Sequence, residues 1–176
     1  MKDEALLVVD VQRGLIDEHP YREKELLKEI RALIDRAHES AVDVVYVRHG
    51  EDDANGLFPG SPAWQIHPDI APKPGDAIFD KHFSSAFKDT GLDEHLKGKG
   101  VKTLVVVGMQ TEYCIDATIK SAFERGYRVV MPEGGSTTYD NKLATADRLV
   151  RYYEKSIWDG RFADVLTPEA VMEKLA

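Results

Sequence analysis

The chain has 176 residues, of which 43% are hydrophobic, and its formal net charge at pH 7 is -8. That length and composition predict one domain over residues 1–176 with a full hydrophobic core. The negative charge argues against nucleic acid or an anionic membrane surface as a partner, because phosphate contacts need clustered lysine and arginine.

Cysteine usage and the lack of long apolar runs argue against several further classes of protein. A single cysteine, Cys114, excludes an intramolecular disulfide and most cysteine-rich zinc sites. No apolar stretch approaches the roughly 18 residues of a membrane span, and residues 1–4 lack the apolar core of a signal peptide. The expected location is therefore the cytoplasm.

The first elements alternate between strand and helix. The apolar run at residues 5–9 is typical of a parallel strand covered on both faces. Across residues 22–40, apolar positions recur every three or four residues, which predicts an amphipathic helix before a second strand at 42–47. Residues 48–75 contain five prolines and four glycines without a sustained period, so we expect a long loop. Loops of that size in a compact domain usually carry function.

The rest of the chain continues the alternation. The predicted strands are residues 76–79, 101–107, 127–131 and 162–166. The predicted helices are residues 92–97, a segment that runs through Arg125 and is stopped by Gly126, residues 141–155, and a last helix opened by Thr167 and Pro168.

Strands separated by helices imply right-handed crossovers and a mainly parallel sheet. We therefore predict an α/β fold, a three-layer αβα sandwich with six strands in the common order 3-2-1-4-5-6. The order reverses between strands one and four, and ligands bind at such a crevice outside the carboxyl ends of the strands. Asp10 and the turn at residues 108–114 follow these two strands, so both should face one crevice.

Three side chains at strand ends could together form an activated nucleophile. Cys114 lies where a strand passes into a helix, and the positive end of the helix dipole favours a thiolate there. Lys81, which ends the third strand, would lower the pKa of that thiol, and Asp10 could accept its proton. Taken singly, Cys114 could be a buried apolar residue, Lys81 an ordinary ion-pair partner and Asp10 a helix cap.

Several segments resemble one known family, the isochorismatase-like cysteine hydrolases, which include nicotinamidases and N-carbamoylsarcosine amidohydrolases. The resemblance covers roughly residues 5–140 in the right order and spacing. The matching segments are Leu-Val-Val-Asp-Val-Gln at 7–12, Lys-His-Phe-Ser-Ser-Ala-Phe at 81–87, Thr-Gly-Leu at 90–92, Gly-Met-Gln-Thr-Glu-Tyr-Cys-Ile at 108–115 and Ala-Phe-Glu-Arg-Gly-Tyr at 122–127.

The resemblance implies hydrolysis of a C–N bond in a small amide or ureido compound through a thioester. Asp10 would be the general base, Lys81 would stabilise the thiolate and the developing charge, and Cys114 would attack the carbonyl carbon. A cis peptide between Met109 and Gln110 is implied too, with the backbone N–H groups of Gln110 and Cys114 directed at the oxyanion. The same resemblance implies a homo-oligomer, either a dimer or a tetramer.

The chain departs from nicotinamidases in the loop after the second strand. Those enzymes carry an Asp-x-His metal motif there, whereas residues 48–53 read Arg-His-Gly-Glu-Asp-Asp. We therefore expect no metal and no other cofactor, and nicotinamide is not favoured as the substrate. A metal site built from His49, Asp52 and His67 stays open as an alternative.

Candidate substrate-binding residues follow from position and type. Arg48 ends the second strand and could hold a substrate carboxylate, or it could form a surface ion pair. Gln12 lies one turn beyond Asp10 and could orient a substrate or a loop. Trp64, Phe83 and Tyr113 could form the pocket wall or ordinary core.

Other functions remain open at this point. A non-catalytic binding domain with Cys114 as a thiol redox sensor is one alternative, and an isochorismatase-type vinyl ether hydrolase is another. A dinucleotide-binding domain is not supported, because residues 10–14 read Asp-Val-Gln-Arg-Gly where G-x-G-x-x-G would be needed.

Overall fold

The computed structural model describes residues 3–51 and 56–176. Within these ranges the strands form one seven-stranded sheet, and the pairs run parallel. The strands are β1 (Glu4–Val9), β2 (Asp43–His49), β3 (Ala77–Lys81), β4 (Thr103–Met109), β5 (Arg128–Pro132), β6 (Ser136–Thr137) and β7 (Asp164–Leu166).

The strand order is β3-β2-β1-β4-β5-β7, and β6 adds a short pairing to β4. The predicted α/β fold and strand order are confirmed, with β7 as the predicted sixth strand. Sequence patterning missed β6, since two residues carry no period. The helices are α1 (Arg13–Ile16), α2 (Glu23–Glu39), α3 (Leu92–Gly98), α4 (Asp116–Glu124), α5 (Ala146–Tyr152) and α6 (Pro168–Lys174), with π-helical turns at Thr111–Ile115 and Tyr153–Trp158 and a 3-10 turn at Pro68–Ile70.

Two hydrophobic cores cover the two faces of the sheet because side chains alternate along each strand. Leu7 of β1 belongs to the core that α3 and α4 cover, and Leu6 belongs to the core that α2 and α6 cover. Both side chains are fully buried. The sandwich therefore has three layers, as the continuous apolar strands predict.

Helix α5 starts five residues later than its sequence pattern predicts. The side chain of Asn141 accepts hydrogen bonds from the backbone N–H groups of Leu143 and Ala144, and this closes a local turn instead of a helix. The last helix starts as expected, since the Thr167 hydroxyl accepts a hydrogen bond from the Ala170 backbone N–H.

The sheet places the strand ends that carry the candidate residues at one edge. Val9 pairs with Gly108 across β1 and β4, and His49 pairs with Lys81 across β2 and β3. A Cβ on Gly108 would lie 2.0 Å from the Val9 carbonyl oxygen, so only glycine permits this approach. The expected cis peptide between Met109 and Gln110 is present. In the described part of the chain, no helix has the length and apolarity to cross a membrane.

Candidate active site

The ammonium group of Lys81 stands at the centre of a buried cluster. Its Nζ lies 2.7 Å from Asp10 Oδ2 and 3.2 Å from Cys114 Sγ. It also lies 3.1 Å from His49 Nδ1. Asp10 and Lys81 are both only 1% exposed, so the ion pair between them is shielded from water.

The Asp10 carboxylate, which follows the end of β1, has surroundings that suit a proton acceptor. The backbone of Asp10 is in the left-handed region, with φ at 54°, which turns the chain out of the strand. Both of its carboxylate oxygens are buried without a hydrogen-bond partner among the described residues, and Oδ2 has the ion-pair contact with Lys81. A carboxylate oxygen of Asp10 and the Cys114 sulfur lie within 4.8 Å of each other, so the thiol proton is close enough to be accepted after a small movement.

The Cys114 thiol is not activated in the way that its position in sequence predicts. Burial, followed by the negative charge of Asp10, raises the pKa of Cys114 to about 12, although the Lys81 ammonium lowers it. Lys81 lowers the pKa of the thiol, as expected from the sequence, but burial and Asp10 raise it by more, so the net shift in the site without a substrate opposes a thiolate. The thiol is protonated at neutral pH.

His49 is a central residue of the cluster that sequence reasoning assigned only to a metal alternative. Its Nε2 lies 2.9 Å from Glu51 Oε1, while its Nδ1 faces Lys81. The buried Gln12 side chain fixes its backbone, accepting from His49 N at 2.8 Å and donating to His49 O at 2.9 Å. The strand order could have pointed to it, because His49 ends the strand between those that carry Asp10 and Lys81.

Asp10, His49 and Cys114 have the residue types of a metal site, but a cation already stands among them. One potential ligand atom of each lies within 4.8 Å of the others. The Lys81 ammonium lies within 3.2 Å of all three residues, so it already supplies a positive charge among them.

Of the alternative metal set, the structure describes His49 and His67. His67 Nδ1 accepts a hydrogen bond of 3.3 Å from the Asp69 backbone, and Asp52 lies outside the described residues.

A crevice of about 260 Å³ opens above the cluster. Leu15, Leu57 and Met109 provide apolar walls, and Tyr113, which is 59% exposed, stands at its mouth. The full lining comprises Asp10, Leu15, His49, Glu51, Leu57, Ser84, Met109, Gln110, Tyr113 and Cys114. The crevice has the mixed apolar and polar wall that is usual for a small-molecule site.

Of the substrate-binding candidates, the structure brings Tyr113 and not Arg48, Trp64 or Phe83 to this lining. Arg48 donates two hydrogen bonds to Asp80, at 2.8 and 3.1 Å, and its guanidinium stacks 3.6 Å from the Trp64 ring centre. Phe83 is 45% exposed beneath the Lys88 ammonium.

Gln12, the remaining candidate, is fully buried and does not line the crevice. Its amide nitrogen also donates to Trp64 O at 2.9 Å, so the side chain joins the end of β2 to the long loop. It orients a loop, which is one of the two roles that its sequence position allows.

Comparison with known proteins agrees with this geometry. Residues 4–169 match the family described as the isochorismatase domain. A streptothricin hydrolase from Streptomyces noursei is 36% identical over 141 residues, which is 78% of this chain, but the chain spans only 50% of its length. A ureidoacrylate amidohydrolase from Agrobacterium fabrum is 28% identical, with 73% of each chain covered.

Solved structures agree as well. A crystal structure of an isochorismatase family protein superimposes with a TM-score of 0.89 at 32% identity, covering 95% of this chain and 99% of that one. The fold, the strand order and the family match span almost the whole chain. The chain therefore belongs to the isochorismatase family.

Proposed function

We propose that the protein is a cysteine hydrolase that cleaves a C–N bond of a small amide or ureido compound through a thioester. The observation that carries the proposal is that Asp10 and Cys114 line one open crevice and that the buried Lys81 ammonium contacts both of them. Relatives named as a ureidoacrylate amidohydrolase and a streptothricin hydrolase support this reaction class.

Acylation begins when Asp10 takes the thiol proton as the sulfur of Cys114 attacks the carbonyl carbon. The raised pKa of Cys114 makes this transfer part of the reaction, since little thiolate exists beforehand. The Lys81 ammonium stabilises the negative charge as it forms on sulfur. The tetrahedral intermediate then collapses, the C–N bond breaks, and Asp10 returns the proton to the leaving nitrogen.

Deacylation repeats the same transfers with water. Asp10 takes a proton from water as its oxygen attacks the thioester carbonyl, and the C–S bond breaks. The proton returns to sulfur, so the products are an acid and the free thiol. In both halves the backbone N–H groups of Gln110 and Cys114 are the proposed oxyanion donors, and one such donor is worth about 3 kcal/mol in other enzymes.

The redox-sensor alternative is less well supported by the site. A sensor thiol must be ionised and accessible at neutral pH, whereas burial and Asp10 raise the pKa of Cys114.

Ammonia or amine release from a panel of small amides and ureido compounds tests the proposal. The wild type, Cys114→Ala and Cys114→Ser should be compared, each with and without a chelator, and one vinyl ether should be included. We expect release from at least one C–N compound, a loss of at least about 1000-fold in both variants, and no effect of the chelator.

A thioester trapped by rapid acid quench and seen by mass spectrometry would identify the nucleophile directly. Turnover of the vinyl ether that survives Cys114→Ala, with no C–N compound hydrolysed, would overturn the proposal. Activity lost on chelation and restored by one metal would contradict the metal-free mechanism.

A further inference from the structure

We propose that His49, held by Glu51, is a positioning residue that fixes the Lys81 ammonium between Asp10 and Cys114. This inference rests on the proposed function, because it assigns a role in the same site. It is carried by the contacts of Lys81 Nζ with His49 Nδ1 at 3.1 Å and of His49 Nε2 with Glu51 Oε1 at 2.9 Å.

The donors and acceptors around Lys81 match in number. An ammonium has three N–H donors and no acceptor, and Nζ has three close partners: it forms hydrogen bonds with His49 Nδ1 and Cys114 Sγ and an ion pair with Asp10 Oδ2. The side chain is buried, so water cannot replace a missing partner. Two of these partners take part in the proposed chemistry, and the third, His49, is the fixed support that holds the ammonium in place.

The contacts also define the tautomer that His49 must adopt. Lysine can only donate, so Nδ1 must carry a lone pair and the proton of a neutral imidazole must be on Nε2. Glu51 accepts from that Nε2–H, which selects this tautomer and fixes the plane of the ring. Gln12 holds the backbone of His49 through two hydrogen bonds, so the imidazole has little freedom to turn away.

Loss of the His49 imidazole acceptor should make the Cys114 thiol harder to ionise. One N–H of the buried ammonium would lose its partner, and Lys81 would no longer be held in place. Displacement of the ammonium withdraws positive charge from Cys114, so the thiolate would become harder to form. An asparagine at position 49 can place its carbonyl oxygen near the site of Nδ1 and should preserve the contact.

Alkylation of Cys114 by iodoacetamide across pH 8–10.5 measures this effect without any substrate. We expect His49→Leu to slow alkylation about tenfold, which corresponds to a rise of one unit in the thiol pKa. His49→Asn should stay within about threefold of the wild type. The matched control is His38→Leu, because His38 also pairs with a carboxylate, Asp76, at 2.8 Å but lies outside the crevice.

Near-ultraviolet circular dichroism shows whether each variant is folded. If folded His49→Leu is alkylated at the wild-type rate, or if His49→Asn is as slow as His49→Leu, the proposed role of the Nδ1 acceptor is overturned. Where a substrate is known, we expect His49→Leu to lower kcat with little change in KM. Absence of amide hydrolysis by the wild type would overturn the proposed function alone, since alkylation still reports on His49.

Discussion

At the scale of single residues, the site balances one buried anion, one buried cation and one thiol. Asp10 and Lys81 act on Cys114 in opposite directions, and burial adds to the effect of Asp10. As a result, the Cys114 thiol is protonated and lies beside Asp10, the proposed base. The thiolate therefore forms only as the sulfur attacks the substrate. A thiol of this kind reacts slowly with general electrophiles such as iodoacetamide.

Asp10→Asn should separate thiol ionisation from catalysis. Because the Asp10 charge raises the pKa of Cys114, the neutral amide should lower that pKa and increase alkylation by iodoacetamide at pH 8 at least about tenfold. Hydrolysis should fall by about 100-fold or more, since the proton acceptor is gone. Stopped assays of both reactions on one preparation provide the measurement. Slower alkylation in Asp10→Asn would contradict this account of the site.

At the scale of elements, β1 and β4 approach each other unusually closely at their carboxyl ends. Asp10 follows β1 at this point, and the turn that carries Cys114 follows β4. Gly108, with φ at 132°, lies against Val9, and a Cβ there would overlap the Val9 carbonyl. Gly108→Ala should therefore lower the free energy of unfolding by at least about 3 kcal/mol, or prevent folding.

Urea unfolding compares Gly108→Ala with Gly98→Ala. Gly98 ends α3, and a Cβ on it would meet no atom within 4 Å, so this control should be neutral or slightly stabilising. Equal urea midpoints for Gly108→Ala and the wild type would contradict this prediction, because they would show that β1 and β4 can move apart without a loss of stability.

At the scale of the whole molecule, Glu154 links stability to pH. It is 4% exposed, and its Oε1 accepts a hydrogen bond of 2.7 Å from the Gly134 backbone N–H. Burial raises the pKa of Glu154, so the folded state holds this proton more tightly than the unfolded chain does. Its contribution to stability is present at pH below the unfolded pKa of about 4.3 and is lost as the pH rises through the folded value.

Glu154→Gln should thus be more stable than the wild type at pH 8, where the wild type buries a charge. The amide oxygen can still accept from Gly134, so the melting temperature should rise by a few degrees. The gain should shrink as the pH falls towards 4, and differential scanning calorimetry from pH 4 to 8 measures it. Glu173→Gln, which removes an exposed carboxylate, is the control. A gain that grows towards acid pH would contradict the assignment.

The assembly and location of the protein stay predictions at this scale. A homo-oligomer and the cytoplasm were inferred from resemblance and from cysteine usage. Sedimentation equilibrium, with an expected mass of two or four chains, tests the first.

The sequence alone determined the fold class, the strand order and the strand ends that bear Asp10, Lys81 and Cys114. Apolar runs and helical periods are local patterns, and parallel strands joined by right-handed crossovers leave few topologies to choose from. Because all carboxyl ends of a parallel sheet lie at one edge, three residues distant in sequence could be assigned to one crevice.

Only the tertiary structure decided how these groups act on one another. Strand register places His49 against Lys81, and side-chain pairing draws Arg48 away to Asp80 and Trp64. The pKa of Cys114 depends on burial by distant elements together with two opposite charges, so no local motif encodes it. Local patterns specify where a side chain leaves the sheet, whereas contacts between distant segments set its partners, its solvation and its charge.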